Sequence, residues 1–152
     1  SDGKVQGVVE LDDIKGKLDV PITHVLVYYH QDVTLLLCCK THTLEIFQIS
    51  KDKAACIISK YIGISITGID DSGELEFLLT TLNSNIYMLK LILNATNLIE
   101  IQEYIKIDTS IPTDAETMQS SSKMSFYGVC TSKNSVFVYI SCYPHYVSKV
   151  LH

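Results

Sequence analysis

The chain nearly repeats itself, and the repeated unit is built from strand-like sequence. Ile22-Thr23-His24-Val25 returns as Ile66-Thr67-Gly68-Ile69, and Leu35-Leu36-Leu37 returns as Phe77-Leu78-Leu79, at spacings of 44 and 42 positions. A third copy follows. Phe126-Tyr127-Gly128-Val129 matches Ile66-Thr67-Gly68-Ile69, and Val136-Phe137-Val138 matches Glu76-Phe77-Leu78, both at 60. The constant offset predicts equal lengths for the first two strands of the second and third units, with the extra residues placed before the third. Units of this size cannot each bury a core alone, so a chain with this period is constrained to pack them against one another.

Within the first unit, Asp19-Val20-Pro21 introduces the β-branched and aromatic run Ile22 to Tyr29, and Gln31-Asp32 supplies a polar turn before Val33 to Lys40. Thr41-His42-Thr43 turns the chain into Leu44 to Ile49, and Ser50 to Lys53 turns it into Ala54 to Tyr61. The second unit has the same plan: Ile64 to Ile69, the turn Asp70-Asp71-Ser72-Gly73, Leu75 to Thr81, the turn Asn83 to Asn85, Ile86 to Leu93, the turn Asn94 to Asn97, and Leu98 to Ile107. Four short strands repeated at about forty residues is the spacing of a β-propeller blade. The predicted fold is all-β, a partial propeller of about three blades. Residues 1–19 are expected to hold the outer strand of a preceding blade, 20–63 and 64–107 one blade each, 108–123 a polar insertion, and 124–152 a partial blade. Rings close with roughly four to eight blades, so the expectation is a piece of a longer polypeptide. Val5 to Leu11 is the expected outer strand, with a strand shared across the ring closure as the alternative.

The net charge is −5 and all twelve basic residues are lysines. Without arginine the chain lacks the usual bidentate reader of guanine, which argues against direct nucleic-acid contact. Lys15, Lys17, Lys51, Lys53 and Lys60 fall mainly in turn-like sequence and read as solvated charges. Cys38, Cys39, Cys56, Cys130 and Cys142 sit in apolar strand-like runs, as expected for buried thiols in a reducing compartment. No apolar run reaches the roughly twenty residues of a membrane-spanning helix.

Three groups of residues invite a chemical reading. Cys38, Cys39, His42 and Cys56 suggest zinc, but neighbouring strand residues point to opposite faces, so Cys38 and Cys39 cannot easily share a metal. Cys142, His145 and Tyr146 flank Pro144 without an oxyanion loop or an orienting acid. Asp70, Asp71, Glu74 and Glu76 cluster acids without the alternating ligands of a calcium loop. Catalytic, cofactor and metal residues are therefore expected to be none, and an interaction module rather than an enzyme is the expectation.

The element Phe126 to Val138 resembles the inner-strand, turn, second-strand pattern of WD40-like blades, with Lys133 where proline and Ser135 where glycine are usual. Together with Ile66-Thr67-Gly68-Ile69, the run Leu78 to Tyr87 and the polar insertion, it resembles the N-terminal propeller of the delta subunit family of transcription factor IIIC. These motifs cover about a third of the chain, and the Trp-Asp and Gly-His pairs of WD40 blades are missing. The resemblance implies a nuclear scaffold subunit in RNA polymerase III initiation, whose partners are other protein subunits of that complex. It does not carry over an acetyltransferase activity, since no acetyl-coenzyme A loop is present. The alternatives are a propeller piece from a vesicle coat, a nuclear pore or a ubiquitin-ligase adaptor, or an enzyme whose active site lies on other blades, and the alternative location is cytoplasmic.

Overall fold

Alternation of apolar and polar residues, abundant β-branching and polar tetrapeptides between runs leave these residues one way to satisfy their backbone, which is antiparallel pairing of neighbours in sequence. The computed structural model describes residues 11–12, 21–51, 53–83, 85–107, 124–132, 135–142 and 147–151, with side chains described for all of these except 11–12, 124–128, 132, 135–142 and 147–151. The described residues are all-β. Among them twelve strands run in order: β1 (Leu11–Asp12), β2 (Ile22–His30), β3 (Val33–Lys40), β4 (Thr43–Ile49), β5 (Ala54–Tyr61), β6 (Ile66–Gly73), β7 (Glu76–Thr81), β8 (Ile86–Leu93), β9 (Ile99–Ile107), β10 (Met124–Ser132), β11 (Ser135–Cys142) and β12 (Val147–Leu151).

They form three sheets. The first has the order β1-β5-β4-β3-β2, the second β6-β7-β8-β9 and the third β10-β11-β12. Pairing among the described strands is antiparallel except for β1, which adds in parallel to the outer edge of β5 with Leu11 opposite Ala54. Leu11 ends the stretch expected to be the outer strand of a preceding blade. The rest of 1–19 and the insertion 108–123 lie outside the described residues.

The repeat read from the sequence has a backbone counterpart. In each sheet the first full-length strand, β2, β6 or β10, carries a β-bulge, at Thr23, Thr67 and Tyr127, which are 44 and 60 positions apart. At two of them the bulged threonine hydroxyl ties the strand to its neighbour: Thr23 Oγ1 donates to the Cys39 carbonyl and Thr67 Oγ1 to Thr80 Oγ1, each at 3.1 Å. A second irregularity, where the fourth strand meets the third, falls after Ile46 and again after Lys90. An extra residue on one strand strengthens the local twist and leaves the ladder intact on both sides.

The equal strand lengths expected for the second and third units do not hold. Val129 pairs with Val138 and Ile69 with Leu79, so the second strands are offset by 59 while the first strands are offset by 60. Ser72 is the additional residue, in a second bulge between Asp71 and Gly73. For the same reason Asp70 to Gly73 is strand, not turn, and the reversal is made by Glu74 and Leu75, the latter at a φ of 54°. Elsewhere turn chemistry acts as expected. Asn94 Oδ1 accepts from the Thr96 and Leu98 amides at 2.9 and 3.0 Å, and Asn97 takes a φ of 58°. The link between the first two sheets passes through Gly63 at a φ of 81°, where its amide and that of Ile62 share the His42 carbonyl.

The main core lies between the first two sheets. Leu35, Leu37, Cys39, Leu44 and Ile46 from one meet Ile66, Phe77, Leu79, Leu89 and Leu91 from the other. A smaller cluster of Cys38, Phe47 and Ala54 occupies the opposite face of the first sheet. β6 lies against both β2 and β10, so the first strands of the three sheets are consecutive neighbours.

Candidate interaction surface

The ends of β2, β6 and β10 meet along one edge of the three sheets, and side chains there tie each sheet to the next. From β2, Tyr28 packs edge-on against Phe77 with ring centroids 4.9 Å apart. Its hydroxyl accepts from the Leu75 amide at 2.9 Å and donates to the Gly73 carbonyl at 3.3 Å. The phenol thus fills the space over β7 and satisfies the backbone of the β6–β7 turn. Beside it His30 Nε2 lies 3.6 Å from Glu74 Oε1.

From β6, Asp70 does the same for the third sheet. Its Oδ2 accepts from the Thr131 amide at 2.6 Å and from the Thr131 hydroxyl at 3.2 Å. The Thr131 hydroxyl also lies within reach of the Asp71 carbonyl. The carboxylates that the sequence groups together are therefore engaged singly. Asp70 holds Thr131 and, through Oδ1, the Asp71 amide, while Glu76 Oε1 accepts from Ser72 Oγ at 2.9 Å. They do not converge on one point, and the arrangement is that of a latch.

The cysteines are divided by the pleat. Cys39 points into the core between the first two sheets and Cys38 into the cluster on the other face. Burial first, and then the neighbouring Cys38, pushes the Cys39 thiol from 9.0 up to about 12. Burial first, then Glu45 and Cys56 against the opposing Lys40, pushes Cys38 up to about 11. Burial thus favours the neutral thiol at both positions. Cys56 Sγ donates to the Ile58 carbonyl at 3.4 Å. Lys40 Nζ and Glu45 Oε2 pair at 2.8 Å on the Cys38 face. His145, Tyr146 and Pro144 lie outside the described residues, as does the side chain of Cys142.

Two further residues act in ways that turn-like composition does not suggest. Lys60 lies within β5, not in a turn, and its Nζ sits 4.3 Å from the centroid of Tyr104 on β9. Tyr104 stacks on Tyr87 with an interplanar angle of 3° and a centroid separation of 5.1 Å. This ladder joins the outer strands of the first two sheets. Its sequence signal is faint, since Tyr87 and Tyr104 pair two strands whose register the sequence alone leaves open.

No family model and no curated protein matches the chain. Its surface must therefore be read from its own residues. Among the described residues no helix is long and apolar enough to cross a membrane, and no three His, Cys, Asp or Glu side chains gather as a metal site.

Proposed function

We propose that this chain is a non-catalytic interaction scaffold and that its three sheets are consecutive blades of a β-propeller. The observation that carries the reading is the side-by-side succession of β2, β6 and β10, each tied forward to the next sheet by a side chain of the preceding first strand. Recurring bulges at Thr23, Thr67 and Tyr127 support it, because a radial array needs the same twist in every unit. A rigid array of this kind offers turns and loops as a binding edge, and its work is presentation of shape.

The narrower proposal is a subunit of the nuclear RNA polymerase III machinery, in the delta subunit family of transcription factor IIIC, contacting other subunits of that complex. It is supported by the resemblance carried by Ile66 to Ile69, Leu78 to Tyr87 and Phe126 to Val138. Affinity purification of the natural polypeptide from nuclear extract, followed by mass spectrometry, tests it. Recovery of the other transcription factor IIIC subunits is expected. Recovery of coat, pore or ligase subunits in their place would leave the scaffold reading standing and remove the transcription one.

A further inference from the structure

One strip of this fold is apolar and uncovered. Along β2, Val25, Val27 and Tyr29 project from the face opposite the main core and are 59%, 46% and 74% exposed. They pair across the sheet with Cys38, Leu36 and Thr34, so the strip continues the face that holds Cys38 and Phe47. Three alternate apolar residues in a row on a first strand form a patch rather than scattered exposure.

The second sheet shows what belongs there. Val25 follows the bulge at Thr23 by two residues and pairs with Cys38, and Ile69 follows the bulge at Thr67 by two residues and pairs with Leu79. The corresponding face of the second sheet carries Ile69, Phe77 and Leu79, and Phe77 and Leu79 are fully buried there. What buries them is the first sheet, through Leu26, Tyr28, Leu35 and Leu37. The same face thus occurs twice in one chain; in the second sheet its first two strands are packed under a neighbour, and in the first sheet Cys38 and Phe47 are buried while the β2 strip beside them is exposed.

The ties between sheets extend the pattern. In both, an oxygen on the first strand of one sheet captures a backbone amide at the turn end of the next: Tyr28 takes Leu75, and Asp70 takes Thr131. The matching turn of the first sheet is Gln31–Asp32, closed by the pairing of His30 with Val33.

We infer that the Val25, Val27 and Tyr29 strip is the docking face for a further antiparallel sheet of the same build, supplied by the natural polypeptide itself. That sheet presents an aliphatic face like Leu26, Leu35 and Leu37, and its first strand sets a hydroxyl or carboxylate oxygen over the amides of Gln31 and Asp32. The inference rests on the blade reading and adds the identity of the missing neighbour and the residues that receive it.

Val25→Cys and Val27→Cys variants of the natural polypeptide test it, labelled with maleimide at a concentration where the protein is monomeric and read by peptide mass spectrometry. Both substitutions exchange valine for an apolar side chain of similar size, and circular dichroism of each variant checks that it folds. Labelling of the introduced thiols at least about tenfold slower than that of a short unstructured peptide carrying one cysteine, together with slowed exchange of the Gln31 and Asp32 amides, is expected. Labelling as fast as that peptide in the monomer would overturn the inference. Protection that appears only in dimers would overturn it too, by making a second copy the occupant. Particle images of the same sample separate the two readings. An annular particle with fast labelling sinks the docking inference alone, and a particle without a ring sinks the blade reading with it.

Discussion

The phenolic oxygen of Tyr28 and the amide of Leu75 are 47 residues apart in sequence and 2.9 Å apart in space, across the junction of two sheets. One side chain both packs on Phe77 and satisfies the backbone of the turn that follows β6. Removing the hydroxyl alone separates these roles. Tyr28→Phe keeps the ring and leaves the Leu75 amide without that acceptor, a loss of about 1–2 kcal/mol. Tyr28→Ala also empties the space over Phe77 and costs about 3–5 kcal/mol. Urea unfolding midpoints measure both, and equal midpoints for Tyr28→Phe and the parent would remove the latch from the account.

Asp70 and Thr131 form the second latch, and their coupling is separable from their individual effects. Asp70→Ala should destabilise by about 1–3 kcal/mol, because the Thr131 amide loses its acceptor in a partly buried place. In a double-mutant cycle with Thr131→Val, the two losses should fall short of additive by roughly 0.5–3 kcal/mol. Strict additivity would mean that the Thr131 hydroxyl adds nothing to the bond from the Thr131 amide, which valine keeps.

Alkaline pH should weaken the fold. Cys38 and Cys39 rise from 9.0 to about 11 and about 12, and burial followed by the nearby Tyr87 pushes Tyr104 from 10.0 to about 12. The folded state holds these groups protonated where the unfolded chain releases its protons. Their contribution is therefore intact below pH 9 and lost as pH rises from there through 11 and 12. The urea midpoint should fall above pH 9 and fall less steeply in Cys39→Ala. Parallel slopes for the two proteins would contradict the assignment to this thiol.

Lys60 contributes through the face of Tyr104. Lys60→Gln keeps most of the aliphatic stem and removes the charge, a loss of about 0.5–1 kcal/mol for a partly exposed pair. The same substitution in a Tyr104→Leu background should have almost no effect on the unfolding midpoint, and an undiminished effect there would place the role of Lys60 elsewhere.

Gln31 sits at a φ of 52° in an exposed two-residue turn, a conformation that costs a side chain with a Cβ about 1 kcal/mol. Gln31→Gly relieves that cost and should raise stability by up to about 1 kcal/mol in thermal unfolding, less what the freer unfolded chain gains. A clear destabilisation would show that the Gln31 side chain has a role of its own.

The sequence alone determined the all-β content, the approximate strand positions and the repeating unit. The pleat has period two and the bulges recur with the repeat, so alternation and spacing at Thr23, Thr67 and Tyr127 carry that information locally. It also separated Cys38 from Cys39, since adjacent residues on a strand face opposite ways. The reversal after β6 is misplaced by sequence reading because Asp70-Asp71-Ser72-Gly73 has the composition of a turn. The pairing of Asp71 with Phe77, set by burial of Phe77 and Leu79 under the first sheet, draws those residues into the strand. Only the tertiary structure decided that Tyr28 would reach Leu75, Asp70 would reach Thr131 and Lys60 would lie over Tyr104. Each joins groups on different sheets, and sequence periodicity records which face a residue takes but not which sheet will stand opposite it.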